Sequence, residues 1–590
     1  MIHDKNIGDY IKNAETDYRA AKIEPIQGWS WSMYEHVRRS FLIKNSQLVT
    51  GKNNKKPVNN IVLPIVRLQY RLEGYNVKDI LLYLTNPKLF YKSTLVRKYH
   101  ETWALENKMD HFIDSSIESD VDYGGKLVKR TDKSVPDVIP LSSLAFADQQ
   151  DIMSAPIGIL HEMSVTDLKE MEKKGWGDPN KGADLTIDDL IVLAQAQPSE
   201  TAYDTRGKLK VYEVRGVMPN HWLTGSGDGY SRQLHIVIPM ARTGSKDDLD
   251  YWTVFKSKAG DDVKFHSSRE KVQNRALHRG GIEDLFDPQM WTNYNEIRLL
   301  SLLDEAAKTI YKTTDKAFGN RQELRNSKSG KTYYVDGELD QINNFPRSAV
   351  LFEKSIDKWQ LRAQSLGDAH PALRGEQPPA GSPAALQELV VDTGEQAHDY
   401  RKGKNADFHG EIYDDWILPQ FGKDLSTEKE FFSELSLKEI QMVARNLSQQ
   451  MVNRKVIDAV LERKGVMPKE EQDALGVVFQ EDFKRGGNER FLKILQNEFK
   501  GEKLGIKFNI AGRQANLHKV TKDLLTVISQ ITSTGGAILR HEGMADLFNQ
   551  IIEFSGLNPI DFTSFAQENP EQDKNLAVPN NLQEEKLSVV

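Results

Sequence analysis

The sequence predicts an α+β fold that is predominantly helical. Three observations carry that reading. Apolar residues recur at three- and four-residue spacing over long stretches near both ends of the chain. A middle region, 110–280, instead alternates apolar and polar residues in short runs. Gly- and Pro-rich segments punctuate the change from one pattern to the other. The 590 residues are enough for three to four domains, at about 100–200 residues each.

Residues 1–110 read as mostly helical. The segments 9–21 and 32–46 are amphipathic, with Trp29, Trp31, Tyr34 and Phe41 as bulky core anchors. Helical spacing continues through 76–84 and 86–105. In the middle region, Gly124-Gly125 turns into a short strand at 126–130, and Pro136 and Pro140 bracket Asp137-Val138-Ile139. The run 208–217 alternates like a half-buried strand. Its expected partners are 232–240 and 251–256, with loops at 225–229 and 241–250. Helices at 164–174 and 186–196 each start near a Ser or Thr cap. The sheet is expected to be largely antiparallel.

Asp287-Pro288 places an N-cap before a proline at the first helical position. Met290, Trp291, Tyr294, Ile297, Leu300, Leu303, Ala307, Ile310 and Tyr311 then continue at helical spacing. A helix over 288–313 would be roughly 38 Å long at about 1.5 Å per residue. The stretch 316–350 breaks the pattern, with Gly319, Gly330 and Gly337 around a strand candidate at 331–335. Helix returns over 352–366, with Phe352, Ile356, Trp359, Ala363 and Leu366 as its apolar stripe. The segment 367–382 holds three prolines and three glycines and reads as a loop. Ser382-Pro383 opens another helix to about 420, with bends expected at Gly394, Gly403 and Gly410. Residues 424–565 read as helical apart from a strand-like piece at 505–510. The polar stretch 566–590 reads as a disordered tail.

Composition removes several functions. There is no cysteine, so there is no disulfide, no Cys-ligated metal and no thiol nucleophile. No apolar run approaches the roughly 20 residues of a bilayer span, so no membrane partner is expected. The first ten residues lack a basic segment followed by an apolar one, so no secretory signal is expected. The formal charge is −7, so contact with nucleic acid would have to come from local patches.

Enzyme motifs are incomplete. Ser329-Gly330-Lys331-Thr332 resembles the end of a phosphate-binding loop, but Arg325 stands where that motif needs glycine. His161-Glu162 opens like a zinc-protease helix, but Val165 stands in place of the second histidine. Asp120-Val121-Asp122-Tyr123-Gly124 lacks the later ligands of a calcium loop. No catalytic residue, metal or cofactor is expected.

A charge pattern is more informative. Lys354, Lys358 and Arg362 fall at i, i+4 and i+8. They lie about 200° around the helix from Ile356, at about 100° per residue. Such a stripe is either a solvated face or a surface for a polyanion, making non-specific and salt-sensitive contacts. A second basic-leaning stretch (Lys256, Lys258, Lys264, Arg269, Lys271, Arg275, Arg279) reads as solvated surface.

The order of parts adds a resemblance. Arg279-Gly280-Gly281-Ile282-Glu283-Asp284-Leu285 leads through Gln289 and Asn293 into the long helix. A Pro/Gly loop, Arg374-Gly375-Glu376-Gln377-Pro378-Pro379-Ala380-Gly381-Ser382-Pro383, follows the shorter helix. The strand-like 505–510 precedes Ala511-Gly512-Arg513 and a helix around 517–531. With these parts in this order, the chain resembles the portal proteins of tailed double-stranded-DNA bacteriophages. The likeness is to the larger type with an extended helical C-terminal part, and it spans roughly 10–565 mainly as architecture.

The resemblance implies a ring subunit with wing, stem, clip and crown. The wing would be 1–281, with its α+β part from about 110, and the stem would be 282–315 and 352–366. The clip would be 316–351, the channel loop 367–382, a long wing helix 383–423 and the crown 424–565. It also implies a dodecamer at one capsid vertex, in the virion and in the host cytoplasm during assembly. Double-stranded DNA would pass through it non-specifically. Partners would be the terminase large subunit, major capsid and scaffolding proteins, and head-completion or tail adaptor proteins. Candidate channel contacts are Lys354, Lys358, Arg362, His370 and Arg374. Candidate docking residues of the clip are Arg321, Arg325, Lys328 and Lys331. Two other classes stay open: another virion structural or adaptor protein without a channel, and an enzyme whose site is dispersed along the chain.

Overall fold

The structure, a computed structural model, describes residues 6–508 except 47–58, 85–89, 132–134, 196–207, 242–248, 261–264, 268–271, 307–309, 318–334, 343–348, 370, 372, 375–383, 426–428, 435–436, 462–466, 486–488 and 495–503. It is a mixed α+β fold in which helix predominates. Two compact units divide it: Met1–Val77 with Ala104–Phe421, and Lys78–Trp103 with Gly422–Val590.

The first unit opens with α1 (Ile7–Ala20), capped by Asn6, whose side chain accepts from the Asp9 N–H at 2.8 Å. A hairpin of β1 (Ile23–Ile26) and β2 (Trp29–Trp31) leads to α2 (Met33–Lys44) and α3 (Val62–Glu73). The next elements in the chain, β3 (Ile80–Leu84) and most of α4 (Phe90–Glu106), belong to the second unit. Then come α5 (Met109–Tyr123), β4 (Leu127–Lys129), β5 (Asp137–Ile139), β6 (Leu144–Phe146) and β7 (Ile157–Met163). Helices α6 (Val165–Glu172) and α7 (Ile187–Gln195) precede β8 (Leu209–Pro219), α8 (Asn220–Thr224), β9 (Tyr230–Ala241), β10 (Leu249–Lys258) and β11 (Phe265–Ser267).

The main sheet runs β10-β9-β8-β7-β6, and every neighbouring pair is antiparallel. Both of its faces are buried. On one side Leu209, Val211, Ile236 and Ile238 pack under Leu168, Ile187 and Leu190 of α6 and α7. On the other, Tyr212, Val214 and Val237 pack with Ile11, Met33 and Val37 of α1 and α2. The expected pairing of 208–217 with 232–240 is therefore found, whereas 251–256 pairs with the far edge of 232–240 and not with 208–217. His161 lies in β7, where its Nε2 is 3.0 Å from the Glu213 carboxylate, and not on a metal-binding helix. The Asp120–Gly124 stretch is the last turn of α5, closed by Gly124 at φ +73. A Cβ there would meet the His278 carbonyl oxygen at 2.0 Å, so glycine is required.

A helical run follows: α9 (Gly281–Asp284), α10 (Phe286–Ala306), the ladder of β12 (Ile310–Thr313) with β13 (Leu339–Ile342), α11 (Ala349–Leu366) and α12 (Ala384–Ile412). The expected helix 288–313 is thus shorter, because Ile310–Thr313 pairs as strand with the far end of the insert. Gly394, Gly403 and Gly410 do not break α12. The irregularity comes after it, as a π-helical turn at Tyr413–Ile417 leading into α13 (Leu418–Leu425).

In the second unit β3 pairs antiparallel with β16 (Leu504–Phe508), and β14 (Lys429–Glu434) pairs with β15 (Glu489–Ile494). Helices α14 (Leu437–Leu461) and α15 (Lys469–Arg485) pack on one another. Two expectations are corrected here. Residues 76–84 are a 3₁₀ turn and a strand, and 424–565 carries strands besides helices. The expected tail lies outside the described residues.

Two further corrections concern burial. Trp31 is buried, but Trp29 and Phe41 are exposed. Arg275, read from the sequence as surface, is buried. It stacks over Trp31 at 5.1 Å and donates to the Glu283 carboxylate at 2.7 and 3.0 Å. Bidentate pairing is what lets a guanidinium leave water.

Lys126 is the other deeply buried cation. Its ammonium donates to Asn405 Oδ1, lies 4.0 Å from Asp120 Oδ2 and sits 4.6 Å over the Phe408 ring. Burial alone would raise the Asp120 carboxyl, but Lys126 and the His278 hydrogen bond outweigh it and hold it down at about 2. A depressed carboxyl stabilises the fold above its unfolded value, about 3.9, and that contribution is lost as pH falls through about 2. Replacing Lys126 with alanine leaves Asp120 buried without its main counter-charge. Lys126→Ala is expected to cost about 3 kcal/mol at pH 7 and to move the acid-unfolding midpoint to higher pH. Denaturant melts across pH check this; an unmoved acid limb would contradict the pairing.

Candidate nucleic-acid interface

Two helices of the first unit form the candidate site. Helices α10 and α11 pack antiparallel, since Trp291 meets Trp359 while Asn295, one turn on, meets Ser355. Asn295 Nδ2 donates to Ser355 Oγ at 3.0 Å. The start of α10 is tied down by Gln289. Its Oε1 accepts from Ile61 N at 2.9 Å, and its Nε2 donates to the Asn59 carbonyl at 2.7 Å and to Asn293 Oδ1 at 3.0 Å. Ile356 and Ala363 are buried on α11, as their place on its apolar stripe predicts.

Lys354, Lys358 and Arg362 are all exposed, on the side of α11 away from Ile356. The exposed face is not uniformly basic. Glu353 and Asp357 flank the cations on one side, and Leu351 and Leu361 are exposed among them at 69% and 65%. A face of this kind attracts a polyanion weakly, because the neighbouring carboxylates reduce the local field.

A chain of stacked side chains crosses the pair. Arg298 lies 4.6 Å over the Tyr294 ring, and Tyr294 meets Trp291 edge-on at 5.7 Å. Trp291 stacks on Trp359 at 6.1 Å with 8° between planes, and Arg362 lies 4.7 Å over Trp359. Trp291 and Tyr294 are still 48% and 41% exposed. The ladder therefore does two things. It holds the two helices in register, and it supports one guanidinium at each end by cation–π contact. Of the three stripe cations, Arg362 is the one held in place by a ring, whereas Lys354 and Lys358 project from the open face.

Arg374 is also brought to this region. Its Nη2 donates to Gln364 Oε1 at 3.2 Å, which folds the start of the loop back on the last turns of α11. His370, Arg321, Arg325, Lys328 and Lys331 lie outside the described residues, as does the strand candidate around Lys331. Sequence reasoning missed Trp291, Tyr294, Trp359 and Arg298 as parts of the site. The i, i+3, i+7 spacing of Trp291, Tyr294 and Arg298 was a usable signal, but the Trp291–Trp359 stack joins two helices and has no local signature.

Among the described residues no group of three or more His, Asp or Glu is placed to hold a metal ion. Among them, too, no helix is long and apolar enough to cross a membrane. No protein-family model matches the chain, and no curated protein matches it.

The ladder makes Trp359 structural and Arg362 peripheral to stability. Trp359→Ala is expected to cost about 2 kcal/mol, since it removes a half-buried indole and its stack. Arg362→Gln should stay within about 0.5 kcal/mol of the parent. Thermal melts compare the two; equal losses would contradict the ladder.

Proposed function

We propose that the protein is a portal-type ring subunit, one of several identical copies enclosing a channel for double-stranded DNA at a capsid vertex. The observation that carries this reading is the antiparallel pair α10–α11. A β-ladder excursion separates its helices in sequence, and α11 presents Lys354, Lys358 and Arg362 to solvent. In this reading the pair is the stem, the β12–β13 excursion is the clip, the segment after α11 is the channel loop and α12 returns to the wing. The wing, clip and crown boundaries rest on the resemblance of part order to phage portals.

The physical requirements support the assignment. A conduit must hold DNA without gripping it. Phosphate contacts carry no sequence information and weaken steeply with salt, so a few cations per copy, diluted by carboxylates, guide a duplex that still slides. A net charge of −7 per copy acts in the same direction. The exposed apolar surface of the pair (Trp291, Tyr294, Leu300, Leu303) is what a subunit shows before neighbouring copies cover it. The work of DNA movement would come from a terminase docked on the clip, so no catalytic residue is assigned to this chain. Capsid, scaffolding and tail-adaptor partners follow from the same assignment, as do the virion and, during assembly, the host cytoplasm.

The test removes the stripe's charge and spares the fold. With Lys354, Lys358 and Arg362 all changed to Gln, oligomers should assemble normally. The slope of log affinity for duplex DNA against log salt should flatten by up to about 0.9 for each phosphate that the variant no longer neutralises. Packaged particles should also retain less DNA. Unchanged slope and unchanged retention would remove the stripe from the channel.

A further inference from the structure

The segment that follows α11 is held by its backbone. Gln69 Nε2, on α3, donates to the Gly367 carbonyl at 3.2 Å. Arg71 Nη2, also on α3, donates to the Leu373 carbonyl at 3.1 Å. His398 Nε2, on α12, faces the Asp368 carbonyl at 3.3 Å, where a ring N–H can only donate. Three carbonyls within 367–373 are thus taken by side chains from two other helices. The His398 ring is itself bracketed. Its Nδ1 lies 3.4 Å from a carboxylate oxygen of Glu73, and Arg401 Nη1 reaches that same oxygen at 3.4 Å.

Packing follows the same plan. Gly367 lies so close to α3 that a Cβ would stand 2.3 Å from Ile65 Cγ2. Ala369 and Leu373 are buried, and Asp368 takes a left-handed conformation at φ +52, which aspartate tolerates better than most residues with a side chain. Two backbone bonds complete the root: Ala369 N to the Gln364 carbonyl at 2.8 Å, and Arg374 N to the Pro371 carbonyl at 3.2 Å.

We propose that Gln69, Arg71 and His398 are positioning residues that grip the 367–373 root by its carbonyls, so that α3 and α12, not α11, set the direction in which the chain leaves the helix pair. Carbonyl recognition makes the grip indifferent to the side chains of the segment it holds. Its consequence for DNA rests on the channel reading above: Arg374, next to the root and bonded to Gln364, would be presented at a fixed place at the end of α11. The grip itself does not depend on that reading.

The experiment is hydrogen exchange by mass spectrometry on the assembled full-length protein, following peptides that cover 367–374. Arg71 is exposed, so Arg71→Ala leaves the fold intact, and Arg71→Lys restores a donor of similar reach. A second variant combines Gln69→Ala with His398→Ala. In Arg71→Ala and in the double variant, exchange at the root should accelerate at least tenfold while α10 peptides stay unchanged, and Arg71→Lys should stay close to the parent. Unchanged root exchange in Arg71→Ala, or acceleration spread equally over α3 and α12, would overturn the proposal. DNA retention by the same variants separates the two readings. Faster root exchange with normal retention upholds the grip and counts against a channel role for the loop.

Discussion

The packing of α10 against α11 is the constraint on which the rest depends. Two indole rings stacked at 6.1 Å and one Asn–Ser hydrogen bond fix the register of the pair. That register decides which side of α11 is buried, at Ile356 and Ala363, and therefore where its three cations point. It also decides where the β-ladder excursion leaves one end of the pair. Trp291 and Tyr294 keep part of their surface open on α10 beside the stack.

The first unit supports this pair through polar anchors. Gln289 binds the start of α10 to residues 59–61, and the buried Arg275 pairs with the half-buried Glu283 of α9. Lys126, Asp120, Asn405 and His278 form a second buried network between α5 and α12. Burial, with Lys126 beside it, pushes His409 well below its usual value, so the ring stays neutral and bonds Tyr75 and Ser116. Such networks contribute less to stability than apolar packing of equal size, but breaking one leaves a charge stranded.

How much of this was legible in the sequence depended on the range of the interaction. Amphipathic helices such as α1 and α2, the Ser- and Thr-started α6 and α7, and the alternating strands β8 and β9 were readable, because period and cap lie within a dozen residues. The strand β3 was not. Its apolar run Ile80–Leu84 fits either structure locally and becomes strand only by pairing with Leu504–Phe508. The end of α10 failed for the same reason, since Ile310–Thr313 keeps helical spacing but pairs with Leu339–Ile342. Lys354, Lys358 and Arg362 were visible as a stripe because their relation is i, i+4, i+8. The indole that supports Arg362 was visible too, but only as a core residue. Arg275 was misread because charge argues for solvent unless a bidentate partner is known, and Glu283 gave no sign of that role.

The most direct measurement of the central claim is an electron-microscopy image of the purified protein. A closed ring is expected, with a central opening wide enough for a B-form duplex, about 20 Å or more, and with the Lys354 side of α11 lining it. A particle without an axial opening, or a ring with α10 and α11 on its outer wall, would contradict the account.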